Sequence, residues 1–336
     1  MTNMSDAGWL PDELATVAFR LARVDQAAAA LGEVCASWSK AGPIGMKQVE
    51  RPDGRWDTVV TEIRPVPPLV SMLFSEAIHH LRAAIENTIF YLVEVERGKP
   101  LDERSASGVE MPIKDTPELF EDWQKRTGRK LPEVAVATTI GERIKLCQPF
   151  EDTTATVPSM SPLLAELTGA AVEYENPMKL LQRYSNTDKH RFLRPGAAQT
   201  VSMRADVPFW QTNRRFLDVK PGDLLATVDP GQPVVLELNP SVLIQRPDTV
   251  TFVGPVAELT HLHRHVADRV LPILVKGQIL TRSLPPSIDL GDSGLTAAQR
   301  IEQGEWSYAD ERWADGVQDR MAEWFDAPPN VLPPPA

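Results

Sequence analysis

Cysteine is nearly absent. Cys35 and Cys147 are the only two in 336 residues, and they lie far apart without a spacing motif. That count excludes a cysteine-type zinc site and does not read as a disulfide scaffold. Two distant thiols read as reduced, so the expected compartment is the cytoplasm. Long apolar runs are missing as well. No stretch of ~18 apolar residues occurs, so no membrane span is expected. The start, Met1 to Gly8, is polar and has no apolar signal core. Bases are outnumbered: Lys plus Arg is 35 against 46 for Asp plus Glu, a net charge of -11. An acidic chain repels phosphate backbones at long range, which argues against a general nucleic-acid coat. There is no Walker A loop, no Gly-rich dinucleotide fingerprint and no nucleophile elbow. Kinase, hydride-transfer and serine-hydrolase readings have no residues to stand on, and no cofactor is expected. No internal repeat at a solenoid period is present.

What is there supports a folded chain. Hydrophobic residues make up 42%, enough for a sizeable core. Apolar steps of three and four predict helices over 11–40, 69–96, 133–147, 177–193 and 256–276, with shorter ones over 117–126 and 163–168. Pro272 is expected to kink the last long helix. Pro52, Asp53 and Gly54 between two β-prone runs predict an early hairpin. Short β-prone runs separated by Pro-Gly and Asp-Pro-Gly turns fill 199–252. The fold class is therefore α+β, mainly α: a helical bundle with an early β-hairpin and a small antiparallel sheet inserted before the last bundle helix. Residues 1–282 are read as one unit, with the sheet insertion at about 197–253, because the last apolar stripe needs the earlier helices to cover it. Residues 283–336 form an acidic tail containing Pro and Trp, with one expected helix over 308–325. From Asp289 onward there are ten acids and three bases. That helix either docks on its own core or recruits a protein partner.

One segment runs against the overall charge. Lys179 to Arg215 holds eight Lys or Arg against Asp188 and Asp206. Within it, Arg183, Asn186 and His190 recur at steps of three and four. Seven helical residues turn ~700°, so Arg183 and His190 project within ~20° of each other, with a rise between them of ~10 Å. Histidine exchanges protons near neutrality, and arginine can grip a phosphate with two parallel hydrogen bonds. A base and a charge clamp are sufficient for attack by an RNA 2′-hydroxyl without a metal. Asp188, Lys189 and Arg191 complete the cluster as supporting or substrate-binding residues. The rise between Arg183 and His190 also allows a second subunit to complete the site, making a homodimer. The same residues fit a structural account: cations near a helix C-terminus are stabilised by its dipole, and Asp188 can pair with Arg191. A second group, His79, Arg82 and Glu86, lies along one helix flank. It forms either a wall of the same pocket or a polar network with a neighbouring helix. His261 and His265, four apart, lack an acidic ligand at a recognised spacing, and no metal is expected.

Two resemblances follow from these residues. The run Ile78 to Asn87, with Leu81, Arg82, Ile85 and Glu86, resembles a leucine–arginine then leucine–aspartate helix motif. That motif belongs to a family of uncharacterised bacterial and phage proteins frequent in actinobacteria. Pro112 and Ile113, then Gln148, Pro149 and Phe150, match two further steps of that family. Asn186, Asp188, Lys189, His190 and Arg191 match its asparagine-x-aspartate-lysine-histidine-arginine motif, and Pro221, Gly222 and Asp223 its late turn. The likeness covers roughly residues 70 to 275, with Glu86 where the family often has aspartate. The arginine, six-residue gap and histidine at Arg183 and His190 also resemble the HEPN ribonucleases and toxins (higher eukaryote and prokaryote nucleotide-binding domains). Those are helical bundles, often dimeric, with a composite metal-independent RNase site. Tyr184 stands where that family usually has a small polar residue, and the β-rich 199–252 stretch is not part of a minimal bundle of this kind. The resemblance implies an endoribonuclease or toxin/defence-type protein acting on RNA, with His190 as acid/base, Arg183 as phosphate clamp, and His79 or Arg82 assisting. The alternative is a non-enzymatic binding or scaffold protein whose charged cluster is a structural network.

Overall fold

The computed structural model describes residues 7–190, 199–204, 216–229, 236–281 and 283–314. Two apolar stripes make its centre. Helix α1 (Ala15–Lys40) buries Val17, Leu21, Val24, Ala28 and Leu31, while α2 (Leu69–Arg97) buries Phe74, Ile78, Leu81, Ile85 and Ile89. Steps of three and four hold each set on one face, and the two faces pack together. Burying each large side chain contributes roughly 1.5–3 kcal/mol. Two 3-10 turns precede α1, so the regular helix starts four residues after Pro11. Gly98, at φ +69, ends α2 in the left-handed region.

Strands β1 (Ile44–Glu50) and β2 (Trp56–Ile63) form the early antiparallel hairpin. Short helices α3 (Glu103–Ala106) and α4 (Pro117–Thr127) follow; Thr116 caps α4 and Pro117 opens it. The helix predicted over 133–147 is divided. Ala137 holds φ +64, which no right-handed helix can continue through, and Thr138 starts afresh by accepting the Gly141 N–H at 3.1 Å. The result is a 3-10 turn at Pro132–Val134 and then α5 (Thr139–Leu146). Next come β3 (Val157–Pro158), α6 (Pro162–Thr168), β4 (Tyr174–Glu175) and α7 (Pro177–His190), with β3 and β4 paired. Residues 191–193 of the predicted helix lie outside the described residues.

The inserted segment supplies β5 (Gln199–Arg204), β6 (Phe216–Asp218), β7 (Leu224–Val228) and β8 (Leu236–Ser241). One three-stranded antiparallel sheet has the order β6-β5-β8. Strand β7 instead joins the early hairpin at the free edge of β2, giving the order β1-β2-β7. The hairpin and the insertion thus share a sheet. Strands β9 (Ile244–Gln245) and β10 (Phe252–Val253) close a tight pair before α8 (Pro255–His265).

The expected irregularity around Pro272 takes a specific form. Between α8 and α9 (Leu271–Lys276) the chain makes one π-helical turn, Val266–Val270. Proline has no N–H for the carbonyl four residues back, and its ring crowds that carbonyl. That carbonyl belongs to Asp268, and it accepts the Leu280 N–H at 3.2 Å instead. The extra residue of the π turn makes room for the proline ring.

The segment from Ser283 packs on the bundle. Leu284, Ile288, Ile301 and Ala309 join the main core, and α10 (Ala297–Glu302) carries a full capping box at Thr296 and Gln299. Residues 309–314 are helical, and the rest of the helix expected over 308–325 lies outside the described residues. Asp25 of α1, almost fully buried, accepts the Ala309 N–H at 2.8 Å and pairs with Arg312 at 2.5 Å. Among the described residues no helix is long and apolar enough to cross a membrane.

Candidate functional site

Helix α7 carries the predicted cluster, and its own sequence sets its orientation. Asn176 accepts the N–H groups of Met178 at 3.0 Å and Lys179 at 3.3 Å, and its amide reaches the Asp152 carbonyl at 3.2 Å. Pro177 then starts the helix, where its missing N–H costs nothing. Met178, Leu181, Tyr184 and Ser185 are buried, so the opposite side faces solvent. Asn186 and Asp188 are exposed there, and Arg183 is half-buried. The helix runs unbroken from Pro177 to His190, so the spacing that aligns Arg183, Asn186 and position 190 is kept. The side chains of Lys189 and His190, and Arg191 altogether, lie outside the described residues.

Two of the clustered charges have partners. Arg183 pairs with Glu175 of β4 at 3.4 Å, and Asp188 accepts the hydroxyl of Ser75. Ser75 sits on α2 one turn before His79, so that hydrogen bond ties the end of α7 to the start of the α2 stripe. His79 is exposed, with its ring edge-on to His80 at 6.0 Å. His80 meets Arg20 at 3.3 Å, and its pKa is lowered by burial first and then by that guanidinium. Arg82 and Glu86 pair with each other at 2.7 Å, and Arg82 also reaches the Met111 carbonyl at 3.4 Å. Among the described residues, no hydrogen bond or ion pair joins Arg82 or Glu86 to α7.

The motif pieces between these helices meet in one place. The buried Gln148 amide donates to the Pro112 and Ile144 carbonyls and accepts the Lys114 N–H at 2.9 Å, and Lys179 of α7 pairs with Asp115 at 2.6 Å. Residues 111–115 therefore run from Arg82 of α2 to Lys179 of α7 past Gln148.

Sequence reasoning missed the group that holds α7 in register. Arg246, fully buried, donates to both oxygens of Glu258 at 2.9 and 2.8 Å and to the carbonyls of Val157 and Pro158 at 3.1 Å. The Tyr184 hydroxyl donates to Glu258 at 3.0 Å. Burial first, then the Glu258 charge, raises the Tyr184 pKa well above the phenol range. For Arg246, burial pulls down, but the bonds and charge of Glu258 outweigh it and the net shift is upward. One buried ion pair thus joins α7, α8, β3 and the β9–β10 turn. Tyr184, the departure from the small polar residue of the ribonuclease motif, is an anchor in this network.

Among the described residues, no three His, Cys, Asp or Glu side chains converge as a metal site. Comparison with known proteins finds no matching family model, no matching curated protein and no matching solved structure.

Proposed function

We propose that the chain is a HEPN-like, metal-independent endoribonuclease acting on RNA from the open face of α7. The observation that carries this reading is the exposed face of a single unbroken helix bearing Arg183, Asn186 and position 190. In the reaction, His190 takes the proton of a ribose 2′-hydroxyl, the 2′-oxygen bonds to the adjacent phosphorus, and the 5′-oxygen leaves with a proton. The products are a 2′,3′-cyclic phosphate end and a 5′-hydroxyl end. Arg183 holds the phosphate through charge-assisted bonds, and Asn186, between them, is placed to hold a ribose or phosphate oxygen. Asp188, Lys189, Arg191 and His79 border the face and bind substrate. The ~10 Å rise between Arg183 and His190 favours a homodimer in which each copy completes the other's site. Two free cysteines agree with a reducing, cytoplasmic setting.

Glu175 must release Arg183 when phosphate arrives. Arg183→Ala is expected to lower cleavage of a short RNA roughly 10- to 100-fold, the worth of a charged hydrogen bond. Glu175→Gln should raise cleavage, because the guanidinium is then free. Steady-state cleavage rates of both variants test this. A Glu175→Gln enzyme slower than the parent, with its fold intact, contradicts the clamp.

A second reading rests on the same pairs. Glu175 on Arg183, Ser75 on Asp188 and Glu86 on Arg82 form a polar network that is complete without a substrate. In that case the chain is a non-enzymatic binding or scaffold protein, and its acidic tail recruits a protein partner.

A further inference from the structure

An open cavity of about 310 Å³ lies between the loop before β3 and the outer face of α8 and its π turn. Its polar lining is Thr154, Thr156, His261, Arg264, His265 and Arg269. On a regular helix, positions 261, 264, 265 and 268 share a face. The extra residue of the π turn brings Arg269 to that face as well, and π turns recur at functional sites. The start of α7, at Pro177, forms another wall and adds the positive end of a 14-residue helix.

Each arginine already has a carboxylate. Arg269 reaches Asp152 at 2.8 Å, and Arg264 reaches Asp310 at 3.3 Å and Glu311 at 2.7 Å. Both contacts use Nη2 alone. The Nε of Arg264 and the Nε of Arg269 are buried and have no hydrogen-bond partner among the described residues. Buried donors left without acceptors are rare and call for a missing partner. Here two of them belong to side chains lining one cavity. The acid at its edge, Asp268, is engaged by the Ser283 N–H at 3.1 Å and the Ser283 hydroxyl at 3.4 Å.

We propose that this cavity binds the phosphate group of a small ligand, with Arg264 and Arg269 as charged donors and His261 and the two threonine hydroxyls completing the shell. Guanidinium forks match phosphate oxygens in geometry as well as charge. Asp268, with its oxygen turned to Ser283, leaves the donors in the majority. The proposal does not depend on the ribonuclease reading.

The test is calorimetric titration of the full chain with inorganic phosphate and with adenosine 5′-monophosphate, in chloride buffer at matched ionic strength. Saturable binding of at least one of them is expected, weakened about tenfold in Arg264→Gln, the loss of one charge-assisted bond. His261→Ala is the second variant. The only hydrogen bond of its ring among the described residues is to the Ala257 carbonyl of its own helix, so its melting temperature should hold while binding weakens. Stronger binding of the nucleotide identifies a phosphate monoester as the ligand. No saturable binding of either anion, or binding that both folded variants keep unchanged, overturns the proposal.

Discussion

Replacing Glu258 with glutamine will cost the fold about 3–5 kcal/mol, the range seen when one partner of a buried ion pair is removed. Arg246 then remains fully buried with its charge uncompensated, and a glutamine NH2 can face its guanidinium only donor to donor. The carbonyls of Val157 and Pro158 stay bonded to Arg246 but carry no formal charge. Tyr184 loses its acceptor at the same time. By contrast, Tyr184→Phe removes one neutral–charged hydrogen bond and keeps the ring against Phe74 at 5.0 Å, so it should cost only about 1–3 kcal/mol. Urea unfolding of the three proteins measures both. A Glu258→Gln protein within 1 kcal/mol of the parent, roughly the worth of one ordinary hydrogen bond, would show that the pair does not hold α7 to α8.

Acid will weaken the fold through two histidines. Burial first, then Arg264, lowers the pKa of His263 from 6.5 to about 3, and burial first, then Arg269, lowers that of His265 to about 3. Above pH 6.5 both rings are neutral in the folded and the unfolded chain. Between pH 6.5 and about 3 the unfolded chain takes up protons that the folded chain refuses. Stability is therefore full above that window and falls as pH falls through it. In phosphate-free buffer, the loss between pH 7 and pH 5 should be about 2 kcal/mol for each ring, so about 4 kcal/mol together. Asp25 acts in the opposite sense. Burial is the largest influence on it and raises its pKa against the pull of Arg312, so it favours the fold as pH drops through its own titration. That range starts from a carboxylate and lies mostly below the histidine window. His263 packs edge-on to Tyr308 at 5.1 Å, so His263→Phe can keep the contact and should remove about half of the slope. Denaturation midpoints at a series of pH values read it. A flat profile between pH 7 and pH 5 would contradict the burial of both rings.

The parts of this fold that a period can encode are visible in the residues. The α2 stripe from Phe74 to Ile89 predicts both the helix and its buried face, and Gly98 predicts its end. The Asn176–Pro177 step predicts the start of α7. What a period cannot encode is the partner. Leu224 to Val228 reads as a strand, but alternation does not say that it lies beside β2 rather than inside its own sheet. Ala137 gives no warning of its left-handed φ, because alanine is the best helix former in isolation and tertiary context decides here. Pro272 announces a disturbance, but not that a π turn absorbs it or that Leu280 takes the freed carbonyl. Arg246 and Glu258 each look like single charges near a turn and a helix start. Only the fold brings them together with Tyr184 in the core. On the candidate site, the alignment of Arg183, Asn186 and His190 follows from helix geometry alone. The links to Glu175 and Ser75 come from other elements and needed three dimensions.

The central claim is that the open face of α7 cleaves RNA, and the most direct measurement is cleavage of total RNA by purified protein in excess chelator beside His190→Ala. Loss of the acid/base group should slow cleavage by about 100-fold or more. Equal melting temperatures in the two proteins would place the loss in chemistry rather than in folding. Cleavage by the parent that the variant loses, with 2′,3′-cyclic phosphate ends on the products, is the result the account predicts. No cleavage by the parent, or equal cleavage by both proteins, would contradict it and leave the charged cluster as part of a binding protein.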